Sequence, residues 1–212
     1  MGTTVADVMT TRVVAVKRNA DFKQIARVLR RFRVSACPVI SDAGRVVGVV
    51  SEADLLYKAA GCELPAGLIR LRWKLGEESK ITAVTAAQLM TSPAVTIEPD
   101  APIQVAARVM RDRGVKRLPV VGSAGELIGI ISRADVIGVY DRPDDDILGE
   151  VTSVIGGEFG LSTAALQATV SAGVVTLTGA CPLPGTALEL AARIRHIEGV
   201  VAVRESEPAR MG

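Results

Sequence analysis

Apolar and polar positions divide the first 60 residues into short strands and amphipathic helices. Apolar runs of four to six residues indicate buried strands, and apolar residues at helical spacing indicate one-sided helices. A helical turn that Thr4 can cap precedes them. The predicted order is β-α-β-β-α, with a strand at 13–16, a helix over 22–32, strands at 37–40 and 45–50, and a helix at 52–60.

The same pattern returns 81 residues later. Residues 5–56 align with 86–137 without a gap, and 18 of the 52 aligned pairs are identical. A unit of this size buries too little surface to be stable alone, so the two copies are expected to pack about a pseudo-twofold axis. The second copy predicts a strand at 94–97, a helix over 101–113, strands at 118–121 and 126–131, and a helix at 133–140.

The pattern changes after Pro143, where three acidic residues open a new helix. A hairpin, a helix and a last strand follow, which predicts a separate αββαβ domain. The residues between the two copies form a linker that either packs on a repeat or binds a partner. The predicted domains are a first repeat at 1–60, a linker at 61–83, a second repeat at 84–141 and the αββαβ domain at 144–206.

Composition narrows the class of protein. Hydrophobic residues make up 49% of the chain and aromatic residues 3%, which predicts a globular fold with an aliphatic core. Three widely spaced cysteines (Cys37, Cys62 and Cys181), without an export signal or a membrane-length apolar run, favour a cytoplasmic protein. The net charge of +2 is too small to argue for nucleic acid, so no nucleic-acid partner is expected.

Each copy carries the string Gly-x-x-Ser-x-x-Asp after an apolar run, with Ser51 and Asp54 in the first copy and Ser132 and Asp135 in the second. A serine three residues before an acid is a helix-capping pattern, and this is the simpler account of one isolated copy. The same residues also suit a nucleotide. Free N–H groups and the serine hydroxyl can bind a phosphate, and the carboxylate can accept ribose hydroxyls.

The sequence contains no set of residues typical of a catalytic site. The chain has one histidine, His196, and neither a CxxC motif nor another spacing typical of a metal site. The acidic run at 144–146 could suggest a cation site, but acids at a helix start explain it more simply. No catalytic residue and no metal ligand is therefore predicted, and an enzyme is the least favoured class.

The two copies resemble CBS domains, which pair into a compact regulatory unit. The strings that carry the resemblance are Val-Met-Thr near each start, Val-x-x-x-Pro-Val at the second strand, and Gly-Val-Val-Ser-Glu-Ala-Asp54 or Gly-Ile-Ile-Ser-Arg-Ala-Asp135. The C-terminal segment resembles a BON domain. That likeness rests on Val-Ser-Ala-Gly173-Val-Val-Thr-Leu-Thr-Gly179 and Ile-Glu-Gly199-Val-Val-Ala-Val.

The CBS resemblance implies that Ser-x-x-Asp binds the ribose and phosphate of a nucleotide. Basic residues of the second copy would bind the phosphates, namely Lys116, Arg117 and Arg133. Asp135, in the same copy, is therefore expected to matter more than Asp54, which has Glu52 nearby. Pseudo-twofold packing could instead bring the cations of the second copy into the first site, which would make the two aspartates more nearly equal. The base would lie in an apolar slot near Val13, Cys37 and Pro38 or near Ala94, Leu118 and Pro119, residues that a core role explains equally well.

The expected function is that of a cytoplasmic, non-enzymatic sensor. Its ligand would be AMP, ADP, ATP or a related adenosyl compound, with no covalent cofactor. The BON-like domain would pass the bound state to an unknown protein partner or to phospholipid. A homodimer through the CBS region is also expected, from spare apolar residues on its helices (Val28, Val109, Val136 and Val139). The alternative is a structural interaction module with vestigial sites, acting by dimerisation and BON-mediated contacts.

Overall fold

The computed structural model describes residues 3–60, 83–162, 164–179 and 184–206. The described chain divides into two compact units, Thr4–Ser132 and the part from Arg133 onward together with Thr3. Nearly all of the predicted linker, and two of the three cysteines (Cys62 and Cys181), lie outside the described residues. The roles expected of them stay predictions.

The first copy has the predicted order of elements. They are α1 (Val5–Val8), β1 (Val16–Lys17), α2 (Phe22–Phe32), β2 (Ala36–Ile40), β3 (Val46–Ser51) and α3 (Glu52–Ala60). The Asp21 carboxylate caps α2 by accepting from the Gln24 amide at 2.8 Å. β1 is shorter than predicted and pairs in parallel with β2 over two residues only.

The second copy repeats this course with one element missing. It comprises α4 (Ala86–Leu89), α5 (Ile103–Asp112), β4 (Arg117–Val121), β5 (Leu127–Ser132) and α6 (Arg133–Gly138). The predicted strand at 94–97 is wrong, since only Ile97 forms a bridge, to Val120. Pro99 explains the loss. The next ladder bond of a parallel pair would need an amide hydrogen at that position, which proline lacks and Arg18 of the first copy has.

The two copies are joined by backbone bridges that come in reciprocal pairs. Thr10 bridges Ile130 while its equivalent Thr91 bridges Val49, so the N-terminal segment of each copy pairs with the third strand of the other. The pairs Thr4–Pro102 and Asp21–Thr85 are related in the same way, and Arg45 bridges its own equivalent, Glu126. This exchange is a pseudo-twofold relation, and it makes the copies one unit.

Two identities of the repeat, methionine at 9 and 90 and glycine at 48 and 129, meet where these segments cross. A Cβ atom at Gly48 would lie 2.5 Å from Met90 Sδ and 2.9 Å from the Thr91 carbonyl oxygen. A Cβ atom at Gly129 would meet the Met9 side chain. The strand needs glycine at this point because the backbone or a side chain of the other copy occupies the space that a Cβ atom would take.

The core of the first unit is aliphatic, as the composition predicts, and both copies contribute to it. Ala86 and Leu89 of the second copy, together with Ala83 at the end of the predicted linker, pack into the cluster formed by the first copy. From the first copy, the buried members are Val16, Ala20, Ile25, Leu29, Cys37, Val39 and Val50. Because this core is shared, neither copy buries its apolar face alone.

The second unit has the predicted αββαβ order after α6. It contains α7 (Asp144–Ser153), a π-helical turn (Val154–Glu158), β6 (Leu166–Ser171), β7 (Val174–Gly179), α8 (Pro184–Ile194) and β8 (Ala202–Ser206). β7 is central in the sheet, antiparallel to β6 and parallel to β8. The helices cover the sheet with buried aliphatic residues such as Ile147, Val151, Leu190 and Ile194. The resemblance of this unit to the BON family stays a prediction.

Asp144 at the start of α7 has a structural role. Its carboxylate accepts from the amides of Ala172 and Gly173 at 2.7 and 2.8 Å. Both residues have positive φ, 51° and 72°, as the hairpin turn between β6 and β7 requires. The Asp144 carboxylate therefore links the turn between β6 and β7 to the start of α7. Within the described ranges, no three His, Cys, Asp or Glu residues are grouped so that they could hold a metal ion.

We expect Gly48→Ala to destabilise the first unit more than Gly129→Ala does. The new Cβ at position 48 meets a backbone carbonyl, which cannot move aside, whereas at position 129 its three nearest atoms all belong to the flexible Met9 side chain. Overpacking of this kind costs about 1–3 kcal/mol, with position 48 at the upper end. Urea denaturation of both variants measures the difference, and equal effects would contradict the asymmetry.

Candidate functional site

A cavity of about 310 Å³ lies within the first unit and is lined by both copies. The second half of the first copy supplies one side of it, and the beginning and middle of the second copy supply the other. The lining residues from the first copy are Ser35, Ala36, Val49, Ser51, Glu52, Ala53 and Asp54, and those from the second are Thr91, Pro93, Ala94, Val95, Gly114, Val115, Lys116 and Arg117.

The Ser51 and Asp54 side chains lie where β3 ends and α3 begins. Asp54 Oδ2 accepts from both the amide and the hydroxyl of Ser51, each at 2.8 Å. Asp54 as a residue is only 7% exposed. The half of the predicted capping box in which the acid accepts from the serine is therefore formed, and it holds an acidic group against the first turn of a helix at the cavity wall.

Two cations of the second copy reach the same cavity. Arg117, half-buried at the start of β4, donates from Nη2 to Ser35 Oγ at 2.7 Å and from Nη1 to the Ala36 carbonyl at 3.1 Å. Lys116 is exposed at its edge. Ser35 and Ala36 are the first-copy equivalents of these two cations, so the pseudo-twofold relation brings the two segments together. Lys116 and Arg117 of the second copy therefore line the cavity that holds Asp54, and the expectation that they act together with Asp135 stays a prediction.

Ser35 is the site residue that sequence reasoning missed. Its hydroxyl accepts from Arg117, and its carbonyl accepts at 2.9 Å from the amide of Glu52, the first residue of α3. It therefore connects the guanidinium to the helix start. The only signal in the sequence was its alignment with Lys116. That alignment indicates a site residue only when residues 35–36 and 116–117 are known to be in contact.

Charge in this cavity is balanced. Glu52 and Asp54 supply two carboxylates, and Lys116 and Arg117 supply two cations. Glu52 is exposed, whereas Asp54 is buried. An anionic group would therefore be attracted chiefly at the Lys116 and Arg117 side of the cavity, away from the Glu52 carboxylate.

The second Ser-x-x-Asp motif extends across the two units. Ser132, half-buried, ends β5 of the first unit, and Arg133 and Asp135 belong to α6 of the second. Arg133 is exposed and Asp135 is half-buried. Asp135 is thus less buried than Asp54, and the part expected of this motif in binding a nucleotide stays a prediction.

Of the six apolar residues expected beside the base, Ala94 alone lines this cavity. Cys37 and Pro38 lie in β2 and Leu118 and Pro119 in β4, all four buried, whereas Val13 is half-buried in the segment before β1. Burial raises the pKa of the Cys37 thiol to about 11, although the nearby Arg117 charge opposes the shift. Cys37 is therefore a protonated core residue at neutral pH.

Comparison with known proteins identifies the two copies. The family model of the CBS domain matches residues 5–61 and 86–142. The chain belongs to the CBS domain family. Along the described residues no helix has the length and apolarity needed to cross a membrane.

Relatives of this CBS pair include proteins from archaea and plants. MJ1426, an uncharacterised protein of Methanocaldococcus jannaschii, is 31% identical over 63% of this chain and 88% of its own length. The chloroplastic CBS domain-containing protein CBSX2 of Arabidopsis thaliana is 32% identical over 64% of this chain and 63% of its own length. The crystal structure of CBSX2 in complex with AMP superposes with a TM-score of 0.56, at 31% identity over 65% of this chain and 95% of that one.

Some relatives of the CBS pair are much longer proteins. A homoserine O-acetyltransferase of Methanococcoides burtonii is 31% identical over 63% of this chain, but the match spans only 23% of that enzyme. The likeness is therefore confined to a minor part of the enzyme, and acyl transfer does not follow from it.

We expect Ser35 and Arg117 to be energetically coupled. Ser35→Ala removes the acceptor of a hydrogen bond from a charged, half-buried group, and Arg117→Met removes the donor while keeping much of the aliphatic stem. A double-mutant cycle on the free energy of unfolding should give a coupling of about 1 kcal/mol. The same cycle with the exposed Arg113 in place of Arg117 should give a value near zero. A zero value for both pairs would show that the Ser35 contact contributes nothing.

Proposed function

We propose that the CBS pair binds an adenine nucleotide, with AMP favoured over ADP and ATP, and that the protein is a regulatory sensor without catalytic activity. The observation that carries the proposal is the shared cavity. Ser51 and Asp54 of one copy line it together with Lys116 and Arg117 of the other. The relative CBSX2, whose crystal structure contains AMP, supports the choice of ligand class.

The phosphate would lie at the Lys116 and Arg117 side of the cavity. The positive end of the α3 dipole would add to the attraction of these two cations, while the amides of Ser51 and Glu52 already donate to Asp54 Oδ2 and to the Ser35 carbonyl. The Arg117 guanidinium has five N–H groups, and two of its nitrogens already donate to Ser35 and Ala36. These two bonds fix the guanidinium in the cavity wall, so a phosphate would meet a donor that is already ordered.

The ribose would be held by Asp54. A carboxylate accepts several hydrogen bonds, and the vicinal 2′- and 3′-hydroxyls of a ribose are donors. Asp54 is held by the Ser51 amide and hydroxyl and is shielded from water, so its acceptor strength is not lost to solvent. The cap and the ribose site are thus two uses of one arrangement.

Charge in the cavity favours a ligand with few phosphates. Two carboxylates already offset Lys116 and Arg117, and Glu52 takes the place that Arg133 has in the second copy. Each further phosphate would add negative charge near Glu52 without adding a cation. AMP therefore suits this cavity better than ADP or ATP does.

Signalling requires that the ligand bind one arrangement of the protein better than another. We propose that the C-terminal unit, BON-like by its sequence, passes this state to a protein partner or a phospholipid surface. Its exposed large apolar side chains include Leu188 at 72% and Val201 at 64%. A contiguous exposed apolar patch marks a surface that binds a partner, and we propose that these two side chains belong to one.

The alternative proposal is an interaction module whose nucleotide sites are vestigial. The hydrogen bonds from Ser51 to Asp54 support it, since they stabilise the start of α3 without any ligand. In this case, dimerisation and contacts of the C-terminal unit would be the whole function. Binding measurements on matched variants separate the two proposals.

We expect Asp54→Asn to weaken AMP binding by about tenfold to a hundredfold and Asp135→Asn to weaken it less, because Lys116 and Arg117 line the cavity of Asp54. A hydrogen bond to a charged group contributes about 1.5–3 kcal/mol, or roughly one to two decades in Kd. Isothermal titration calorimetry measures both. Lys116→Met is the companion variant, since this exposed side chain can be removed without loss of a cap, and it should weaken AMP binding more than adenosine binding. No binding of AMP, ADP or ATP at millimolar concentration would favour the interaction module.

We also propose a homodimer formed through the CBS region. Half-buried apolar residues on α2 and α5, Val28 and Val109, would be covered by a second copy. Light scattering at tens of micromolar should give twice the mass of the 22.2 kDa chain. A Val28→Glu, Val109→Glu variant should scatter as a monomer. A monomeric wild-type protein would contradict the proposal.

A further inference from the structure

The cavity of Asp54 carries less positive charge than the equivalent positions of the repeat. Three of its lining residues stand where the other copy has an arginine. The pairs are Glu52 with Arg133, Pro93 with Arg12, and Gly114 with Arg33. All three arginines are exposed, so the repeat accepts a cation at each of these positions. The fold therefore does not explain why this cavity lacks them.

Gly114 follows the end of α5 in the same way as Arg33 follows the end of α2. In each copy the amide of the next valine donates to the carbonyl of the residue five positions earlier, at 3.0 Å from Val115 and 3.1 Å from Val34. Both turn residues are left-handed, with φ of 66° at Gly114 and 53° at Arg33. A Cβ atom at Gly114 would meet no other part of the chain within 4 Å. Neither the backbone conformation nor a lack of space therefore demands glycine at position 114.

Position 114 belongs to the part of the cavity wall that carries its cations. It is two residues before Lys116, so the two Cα atoms are at most about 7 Å apart. A first phosphate bound by Lys116 and Arg117 would leave any second or third phosphate to the rest of the lining. That part of the lining offers the Glu52 carboxylate and, among the lining residues, no further cation.

We propose that Gly114, together with Glu52, determines how many phosphates the cavity accepts, and that these two residues make it specific for a nucleoside monophosphate. The inference rests on the proposed binding of an adenine nucleotide. Glu52 repels a second phosphate, and Gly114 provides no donor for it beside Lys116. An arginine at either position would supply a planar guanidinium, which binds phosphate through two parallel hydrogen bonds. Gly114 is therefore a specificity-determining residue, although no motif marks it.

The test exchanges these two residues for those of the other copy. Calorimetric titration without divalent cations should show that the wild-type protein binds AMP about tenfold more tightly than ATP. Glu52→Arg with Gly114→Arg should reverse this preference, so that ATP binds about tenfold more tightly than AMP. Gly114→Arg alone should shift the ratio of the two Kd values by about tenfold toward ATP, since a hydrogen bond to a charged group is worth about one decade.

The repeat also supplies a control that adds the same charge outside the cavity. Glu98→Lys with Gln104→Lys introduces the residues of the first copy, Lys17 and Lys23, at two exposed positions that do not line the cavity. Both double variants add three positive charges. In physiological salt the control should keep the ratio of the Kd values within about twofold of wild type, because distant exposed charges are screened.

Two further variants separate charge from other effects of the substitution. Gly114→Ala adds a side chain without charge and should leave the ratio of the Kd values unchanged. Urea denaturation checks that each variant is folded. Glu52→Arg changes an exposed side chain at the start of α3, so it tests the inference by the same ratio even when a variant at position 114 does not fold.

Three results would overturn this inference and leave the proposed function intact. The first is a wild-type protein that binds ATP as tightly as AMP. The second is an unchanged ratio of Kd values in folded Gly114→Arg that still binds AMP. The third is an equal shift of the ratio by the two double variants, which would show that overall charge sets the preference. A wild-type protein that binds no adenine nucleotide would overturn the proposed function as well.

Discussion

The exchange of backbone pairing between the two copies is the constraint on which the first unit depends. Thr10 pairs with a strand of the second copy and Thr91 with a strand of the first. The crossing brings one chain so close to the other that Gly48 and Gly129 must lack a Cβ atom. Once the segments are exchanged, the core is shared, and any cavity at the crossing has walls from both copies. Stability of the pair and formation of the site are therefore consequences of one contact.

The same exchange decides which charges meet. Ser35 and Ala36 lie against Arg117 because equivalent segments approach each other across the pseudo-twofold axis. A cation that appears in one copy during divergence therefore acts on the carboxylate of the other. Asp54, held at the start of α3, has the cations of the second copy in its cavity although its own copy has none at those positions. A duplicated chain can in this way make two unlike sites from one motif without changing the motif.

Much of this architecture could be predicted from the sequence because it depends on local patterns. The repeat, the order of elements and the aliphatic core follow from apolar spacing, and even the lost strand before α5 has a local cause in Pro99. The set of residues that line the cavity could not be predicted from local patterns. Arg117 reaches the cavity of Asp54 through a contact between residues about 80 positions apart, which no local pattern reveals. Ser35 belongs to no motif of its own. The pairing of Ser51 with Asp54 at a helix start was predictable, but its place beside the cations of the second copy was not.

Some positions of the repeat are identical for a physical reason. The identical pairs include methionine at 9 and 90 and glycine at 48 and 129, where the copies cross and a change in either would disturb both. The diverged pairs include Ser35 with Lys116 and Glu52 with Arg133, which line or flank the binding positions and change their charge. Buried positions also differ, since Ile25 and Leu29 of α2 correspond to Ala106 and Met110 of α5. The packing constraint therefore fixes the residues at the crossing points and the apolar character of the core, and it leaves the charges that line each site free to differ between the copies.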